Sequence, residues 1–592
     1  MLALLALAWH FYLERVAYYD LAFHLFTYIR TKELFVQNRR FVAIVTQLPP
    51  LLAVRAGWSL DVVMRLYSLA FGLYYLAVYV LSARWLRNER AALLMPLALV
   101  LMGARTFYWA QSELPQTLAA LVFLYAGLSR QAPLQPRLDT LALVALVPVV
   151  IFGHPLAIFP LLFLWAYDWL LNQRWRDWGY YGVLALALGL YWYRTATIPP
   201  GSYEANSMTL GAGLRQYFPN YFGAPSFHEF WRLCGTSFLA MPLLLAALTT
   251  YYLRQRTRLA GAKLLLMWSF WLGYAVVVNV SRPDFTEATY LENLYLPLAF
   301  FVAAPFTMEL LPALEQQAAP RGLWLASGLL GLLLAVRIGV VYYVHTSFTA
   351  YQQWMARTLA YTRQFPERRF LLNDQNLDPV RIRAGWPWWA SAYETVLRSA
   401  RFSPDSAQVL LITPELNRFA EEGKMSGLFL GTYDKMLSQE LDGRYLRIPN
   451  PGASYRVLNT PPPADTTALR AYVAAHQPVQ LTLAELPRTL KAGRWRVVRV
   501  RLSVPPALRP LHSGLGNGHP TMLRSRFYSA NDWPAPDEPV VEPLELDVYD
   551  DYQQDVPLRC PTKPGSYTLE VSLYSQDFID WPVRLRLPVT VE

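Results

Sequence analysis

The chain has 592 residues, of which 54% are hydrophobic and only 16% charged, with mean hydropathy +0.19 and a formal net charge of +11. A soluble domain carries about 25% charged residues, so an ordinary soluble enzyme is excluded for the chain as a whole, and the length exceeds one ordinary domain. The positive balance does not point to nucleic acid: many basic residues sit in short loops between apolar runs, where membrane topology places them, and no zinc-finger spacing, Walker A loop or dinucleotide fingerprint is present.

Apolar runs dominate up to about Val344, and beyond it Arg, Asp, Glu and Pro return at ordinary density. The expected architecture is therefore a polytopic α-helical membrane domain over residues 1–345. It is followed by an extracytoplasmic mixed α/β region (346–460) and an extracytoplasmic β-sandwich (461–592). The two cysteines, Cys234 and Cys560, fall one in each part and make neither a disulfide framework nor a metal site.

The first apolar run, Met1 to Leu13, lacks a basic leader and a small-residue cleavage site, so no cleavable signal peptide is expected. It is short for a span, which requires that the helix continue through Val16 and Ala17 or that the true start lie upstream. Just past it, in Tyr18-Tyr19-Asp20-Leu21-Ala22-Phe23-His24, Asp20 and His24 are spaced to share a helical face.

The stretch Phe41–Ala56 contains Pro49, Pro50 and Arg55. Counting it as a span would put Arg84, Arg87 and Arg90 outside. Reading it as an interfacial segment puts them inside with Arg130, Arg137, Arg174, Arg176, Arg254, Arg256, Arg258, Lys263 and Arg321. The positive-inside rule selects the interfacial reading, so residues 14–60 form an external loop holding two helices along the membrane, and the C-terminal portion is external too.

The clear spans are Val62–Ala83, Ala91–Tyr108, Leu114–Leu128, Leu141–Gly153, Leu156–Leu171, Gly179–Tyr193, Phe238–Leu253, Leu264–Val280, Leu291–Met308 and Leu323–Tyr343. With the first helix they make about eleven, most near the roughly 17–22 residues a bilayer core demands. Between them, external turns carry Glu113, His154 and the group Arg282, Asp284, Glu287, Tyr290 and Glu292. Charges beside spans are costly and therefore mark candidate sites. The plainer reading also stands: acids at helix starts cap amides, aromatic residues at span ends form an interfacial belt, and His154 before Pro155 reads better as a structural turn.

In the external portion, Arg369–Leu372 and Val409–Ile412 read as short buried strands, and Trp386-Pro387-Trp388-Trp389 as the entry to a helix at Tyr393–Leu397. Such an aromatic cluster stacks on sugar rings or packs in a core. Pro461-Pro462-Pro463 marks a boundary. Beyond it, period-two alternation appears at Val479–Leu483, Trp495–Leu502 and Leu544–Val548, and ends in the pair Gly565–Leu573 and Val583–Val591. That spacing reads as a sandwich. Pro564–Leu569 with Asp580-Trp581 looks loosely like the immunoglobulin-like or carbohydrate-binding sandwiches of surface-polysaccharide machinery, a spacer being favoured over sugar binding.

Gln47-Leu48-Pro49-Pro50-Leu51-Leu52, Gly57-Trp58-Ser59, Arg65-Leu66-Tyr67-Ser68 and a long helix ending in Arg84-Trp85-Leu86-Arg87 together resemble the first external loop and second helix of the dolichyl-phosphate-mannose protein mannosyltransferase-like group. These are integral membrane glycosyltransferases of the GT-C fold. The resemblance covers roughly residues 1–345 and lies in the arrangement more than in any single motif. It implies a polyprenyl-phosphate sugar donor, a glycan, lipid or protein acceptor, inversion at the anomeric carbon, and a bacterial inner-membrane setting with the external domain in the periplasm.

The resemblance also implies an acid in the first external loop as general base or acceptor-binding group, where Asp20 falls, and a further acid where Glu113 falls. Leu21 stands where the family often has a second acid, so the Asp20 and His24 pattern leaves open a different acceptor or a lost activity. The chemistry needs a carboxylate to deprotonate the acceptor hydroxyl and Arg or Lys to hold the departing phosphate. Arg39, Arg40 and Arg282 are candidates for the second task, with lipid-headgroup contact as their plainer role. His154, Tyr290 and Glu292 complete the candidate set. No cofactor is implied with certainty, and a divalent metal is left open. The competing classes are a transporter or lipid flippase, against which no inverted repeat is visible and Arg105 and Asp168 lie near span ends, and a non-catalytic scaffold displaying the sandwich.

Overall fold

The structure is a computed structural model. It describes the chain apart from residues 111, 131–135, 200–213, 215–216, 284–286, 317–320, 374–387, 414, 426, 449–453, 459–473, 475–478, 484–485, 488, 509–520, 531–534, 536–539, 545–550 and 576–578. Asp284, Trp386 and Pro387, Pro461–Pro463 and most of the strand expected at Leu544–Val548 lie outside the described residues.

The chain begins with α1 (Leu2–His10) and α2 (Tyr12–Val16), parted by a kink at Phe11, so the expected single first helix is two short pieces. Next comes α3 (Tyr19–Thr31), whose face Leu21, Ala22, Leu25, Phe26, Tyr28 and Ile29 is buried at helical spacing. It stops at Lys32 in left-handed conformation (φ 55°), whose carbonyl accepts from Arg55 Nε and Nη2 at 3.0 and 2.7 Å. Helix α4 (Ile44–Arg55) includes Pro49 and Pro50. With the turn before it, it turns Phe41, Val45, Leu48 and Leu52 outward while Gln47, Leu51 and Val54 are buried. At 12 residues α4 is shorter than a crossing requires.

Helix α5 (Leu60–Val80) continues through a π turn to Trp85, and α6 (Glu89–Ala92) follows, capped by Asn88 Oδ1 accepting from Ala91 N at 3.1 Å. After it come α7 (Leu94–Leu101), α8 (Glu113–Leu128), α9 (Pro136–Gly153), α10 (Ile158–Asn172) and α11 (Trp178–Ala196). Helices α12 (Pro225–Gly235) and α13 (Ala240–Gln255) meet at a 78° bend. The helical part closes with α14 (Arg258–Ser281), α15 (Ala288–Tyr295), α16 (Leu298–Pro305), α17 (Leu311–Gln316) and α18 (Arg321–Thr362).

Among the described residues, five helical stretches are long and apolar enough to cross a membrane: 60–85, 155–172, 258–281, 298–316 and 322–362. A sixth is reached if the bent α12–α13 pair is one crossing. The expected eleven are not all of this kind. The run Leu291–Met308 is broken at Pro297 between α15 and α16, and the run Ala91–Tyr108 is divided among α6, α7 and a turn. Hydropathy registers the apolar run but not the break.

Direction follows from contacts. Helix α5 begins where Arg401 of the following region lies 3.6 Å from Asp61, and its 21 residues carry the chain roughly 30 Å away before the π turn bearing Arg84. The pairs Asp168–Arg174 and Lys263–Glu309 lie toward that far end, where Arg174 reaches the Leu128 carbonyl at the last turn of α8.

Helix α18 is 42 residues long and runs through the expected boundary at 345 without interruption. It leads into a three-stranded parallel sheet of β1 (Arg369–Asn373), β2 (Val409–Thr413) and β5 (Arg456–Leu458), in order β2-β1-β5. The buried runs Arg369–Leu372 of β1 and Val409–Thr413 of β2 are those of a covered parallel sheet. Helices α19 (Ser391–Ala400) and α20 (Leu416–Glu422) and the hairpin β3 (Leu428–Leu430) and β4 (Lys435–Leu437) complete the region. It shares one apolar core with the helical part, Leu371, Tyr393 and Phe429 packing in the same cluster as Leu21 and Phe26. Arg30–Asp434 (2.8 Å) and Lys32–Asp442 (3.1 Å) pin its rim.

The C-terminal region is rich in strands. One sheet holds β6 (Gln480–Leu483), β8 (Trp495–Ser503) and β11 (Tyr552–Arg559). The other holds β7 (Thr489–Leu490), β9 (Thr521–Ser529), β10 (Val540–Pro543), β12 (Gly565–Ser575) and β13 (Ile579–Val591). Both turn alternate apolar residues into one cluster, Val498 and Val500 from the first sheet meeting Leu569 and Val571 from the second.

Candidate functional site

Asp20 lies in the first turn of α3, one residue after Tyr19, whose backbone is left-handed (φ 52°). A non-glycine residue in that region is strained and must be held by its surroundings. The hold comes from the α/β region: Glu394 on α19 accepts from Tyr19 N at 2.7 Å and from the Tyr351 hydroxyl on α18. The carboxyl group thereby caps an otherwise open helix N–H from a distant part of the chain. Burial pushes Glu394 up to about 8, against the opposing pull of its Tyr351 and Tyr19 hydrogen bonds.

Asp20 Oδ2 accepts from Trp109 Nε1 at 2.9 Å. Its carboxyl group is pushed up to about 7, chiefly by burial, with Glu113 raising it further while the Trp109 hydrogen bond and Arg40 pull it down. Glu113, in the first turn of α8, pairs with Arg40 at 2.9 Å, and both side chains are 12% exposed. Three residues expected at separate places, Asp20, Glu113 and Arg40, thus form one electrostatic group.

The group is framed by rings. Trp109 stacks on Tyr290 with centroids 5.7 Å apart and lies 5.1 Å from Tyr19. Tyr19 and Phe23 contact Trp389 at 5.8 and 5.9 Å, and Trp389 lies 5.4 Å from Tyr433. Trp389 and Tyr433 come from the α/β region, so both parts of the molecule build the frame. Arg282 extends it, its guanidinium 5.7 Å above the Tyr290 ring.

The other candidates are placed differently. His24 is 2% exposed, 3.2 Å from the Tyr28 hydroxyl and edge-on to Phe35; burial lowers it to about 4, so it is neutral packing behind Asp20. Arg39 is exposed in the loop before α4 with a left-handed backbone (φ 59°), and the structure does not bring it into the ion pair. His154 Nδ1 accepts from Leu156 N at 3.2 Å, a turn-capping contact. Glu292 is fully buried and fastens the turn before Trp109, accepting from Ala104 N, from Thr106 N at 2.7 Å and from Thr106 Oγ1 at 2.9 Å.

Sequence reasoning did not single out Trp109, Tyr19, Glu394 or Tyr433. Trp109 and Tyr19 adjoin the quoted acids, a usable signal. Glu394 carries none, because its partner is 375 residues away. Among the described residues, no group of three or more His, Cys, Asp or Glu is placed to hold a metal ion. Both cysteines are buried and unbridged. No protein-family model and no curated protein sequence matches the chain.

Proposed function

We propose that the protein is an integral membrane glycosyltransferase of the GT-C kind. It moves a sugar from a polyprenyl-phosphate-linked donor to an acceptor hydroxyl on the extracytoplasmic side, with Asp20 as general base. The observation that carries this reading is the Asp20 carboxyl itself. It is oriented by Trp109, coupled to the Arg40–Glu113 pair and poised near neutrality, the value at which a general base works best.

In this mechanism Asp20 takes the acceptor proton as the hydroxyl oxygen attacks the anomeric carbon. The bond from that carbon to the phosphate oxygen breaks on the opposite face, and the electron pair leaves with the polyprenyl phosphate, which inverts the centre. Arg40, oriented by Glu113, holds the departing phosphate by charge-assisted hydrogen bonds, with Arg282, above the Tyr290 ring, as a further contact. The aromatic frame supplies flat apolar faces for sugar rings. The same reading takes the shorter apolar helices as further crossings, the two C-terminal sheets as a sandwich, and the region after α18 as periplasmic in a bacterial inner membrane.

The test is accumulation of polyprenyl-phosphate-linked sugar in cells carrying Asp20→Asn, beside wild type and a deletion. Donor accumulation like that of the deletion, with normal membrane insertion, supports the reading. A wild-type donor level in Asp20→Asn cells, with a phenotype in the deletion, removes Asp20 from the chemistry.

A further inference from the structure

A second site stands apart from Asp20, where α12 faces the outer surface of the β8–β11 strand pair. The two elements enclose a cleft of about 440 Å³, within the size range of small-ligand sites. One wall carries Glu229, Trp231 and Arg232; the other carries Arg499, Gln553 and Asp555.

The charges are paired within each wall. Arg232 Nε donates to Glu229 at 2.7 Å, and Arg499 Nε donates to Asp555 at 2.9 Å. The four charges of these pairs sum to zero, so together they give the cleft no net charge that would select an anion or a cation. Its lining is too polar for a lipid tail. Trp231 is a large ring left 45% exposed, braced from behind by Phe230 and Trp271 at 5.4 and 6.1 Å. An open indole face beside planar amide, carboxylate and guanidinium groups matches a neutral ligand with an apolar ring face and a rim of hydroxyls. The ring face stacks, and the hydroxyls exchange hydrogen bonds with groups whose charges are already balanced.

We infer that this cleft binds a segment of neutral oligosaccharide. The proposal deepens the transferase reading by making the acceptor a glycan, gripped by the membrane part and the strand-rich region together. The strand-rich region is then a substrate-holding element rather than a spacer.

The test does not use the transfer reaction. The full chain in lipid nanodiscs is titrated with neutral tetrasaccharides of the glucan, mannan, xylan and chitin types, and binding is read by saturation-transfer NMR. The expected result is saturable binding of at least one tetrasaccharide, weakened about tenfold by Trp231→Ala and by Gln553→Ala. Both residues are exposed, and variants eluting as the wild type does are scored as folded. Asp20→Asn should bind as wild type. Absence of saturable binding by every tetrasaccharide up to about 10 mM, or binding indifferent to both cleft variants, overturns the proposal. Binding lost in the cleft variants while Asp20→Asn cells show wild-type donor levels would retain the cleft and remove Asp20 from the chemistry of the transferase reading.

Discussion

Glu394 of the α/β region accepts a hydrogen bond from the backbone N–H of Tyr19, 2.7 Å away, at the first turn of the helix that carries Asp20. Burial raises this carboxyl from 4.5 to about 8. The folded state therefore holds a proton that the unfolded chain releases, and the contribution is present below pH 4.5 and lost as pH rises through 8. Glu394→Gln keeps an acceptor for Tyr19 N and should flatten that part of the pH dependence, melting near wild type at pH 5 and above it at pH 8. Glu394→Ala leaves two buried donors without an acceptor and should cost about 2–3 kcal/mol. Thermal unfolding in detergent across this range checks both.

If Asp20 is the base, activity should rise with pH around a midpoint near 7, because only the ionised carboxyl accepts the acceptor proton. Trp109→Phe removes the N–H that favours the ionised form and should move the midpoint up by about one unit. A steady-state pH profile of sugar transfer in membranes measures the shift. A midpoint unmoved by Trp109→Phe would separate the two residues functionally.

The Arg40–Glu113 pair should tune that midpoint in opposite directions. Arg40 lowers the Asp20 pKa and Glu113 raises it, so Arg40→Ala should shift the profile upward and Glu113→Gln downward. Arg40→Ala should also raise the donor KM about tenfold, the loss of one charge-assisted contact to phosphate. A larger acceptor effect than donor effect would move Arg40 out of the phosphate-binding role.

Glu292 should behave as a structural residue. Replacing it with alanine strips the acceptor from Ala104 N, Thr106 N and Thr106 Oγ1 and should cost about 2–4 kcal/mol. The expected result is a lower folded yield, with the pH midpoint of the remaining folded enzyme unchanged. A specific change in that midpoint at normal yield would return Glu292 to the chemistry.

What could be read in advance follows the range of the interaction. Asp20 and Glu113 stood out because a charge beside an apolar run is costly wherever the chain goes. β1 and β2 stood out because a short run of consecutive apolar residues, Phe370–Leu372 and Val409–Ile412, has few other uses. The shortness of α4, a 12-residue helix with Pro49 and Pro50 inside it, was legible in the two prolines. The Asp20–Trp109 and Glu394–Tyr19 bonds were not, being contacts over 89 and 375 residues that leave no periodic trace. The count of crossings was legible in part, five or six stretches among the described residues having the length and apolar character of a crossing. α7 is almost wholly buried within the protein, so its apolar side chains answer to neighbouring helices, and hydropathy alone does not distinguish that solvent from lipid.

Helix α18 supplies both the last crossing stretch and Tyr351, the second donor to Glu394. From Tyr343 to its end at Thr362 it rises roughly 28 Å, stiff and unbroken, like a mast stepped in the bilayer. A tilt of about 5°, of the order that hydrophobic mismatch induces, would displace Tyr351, roughly 12 Å along this stretch, by about 1 Å, enough to lengthen its hydrogen bond to Glu394. The geometry around Asp20 would then register bilayer thickness. Transfer rates compared in short-chain and long-chain lipid bilayers would reveal the mast as a gauge, and equal rates would show it rigidly stayed.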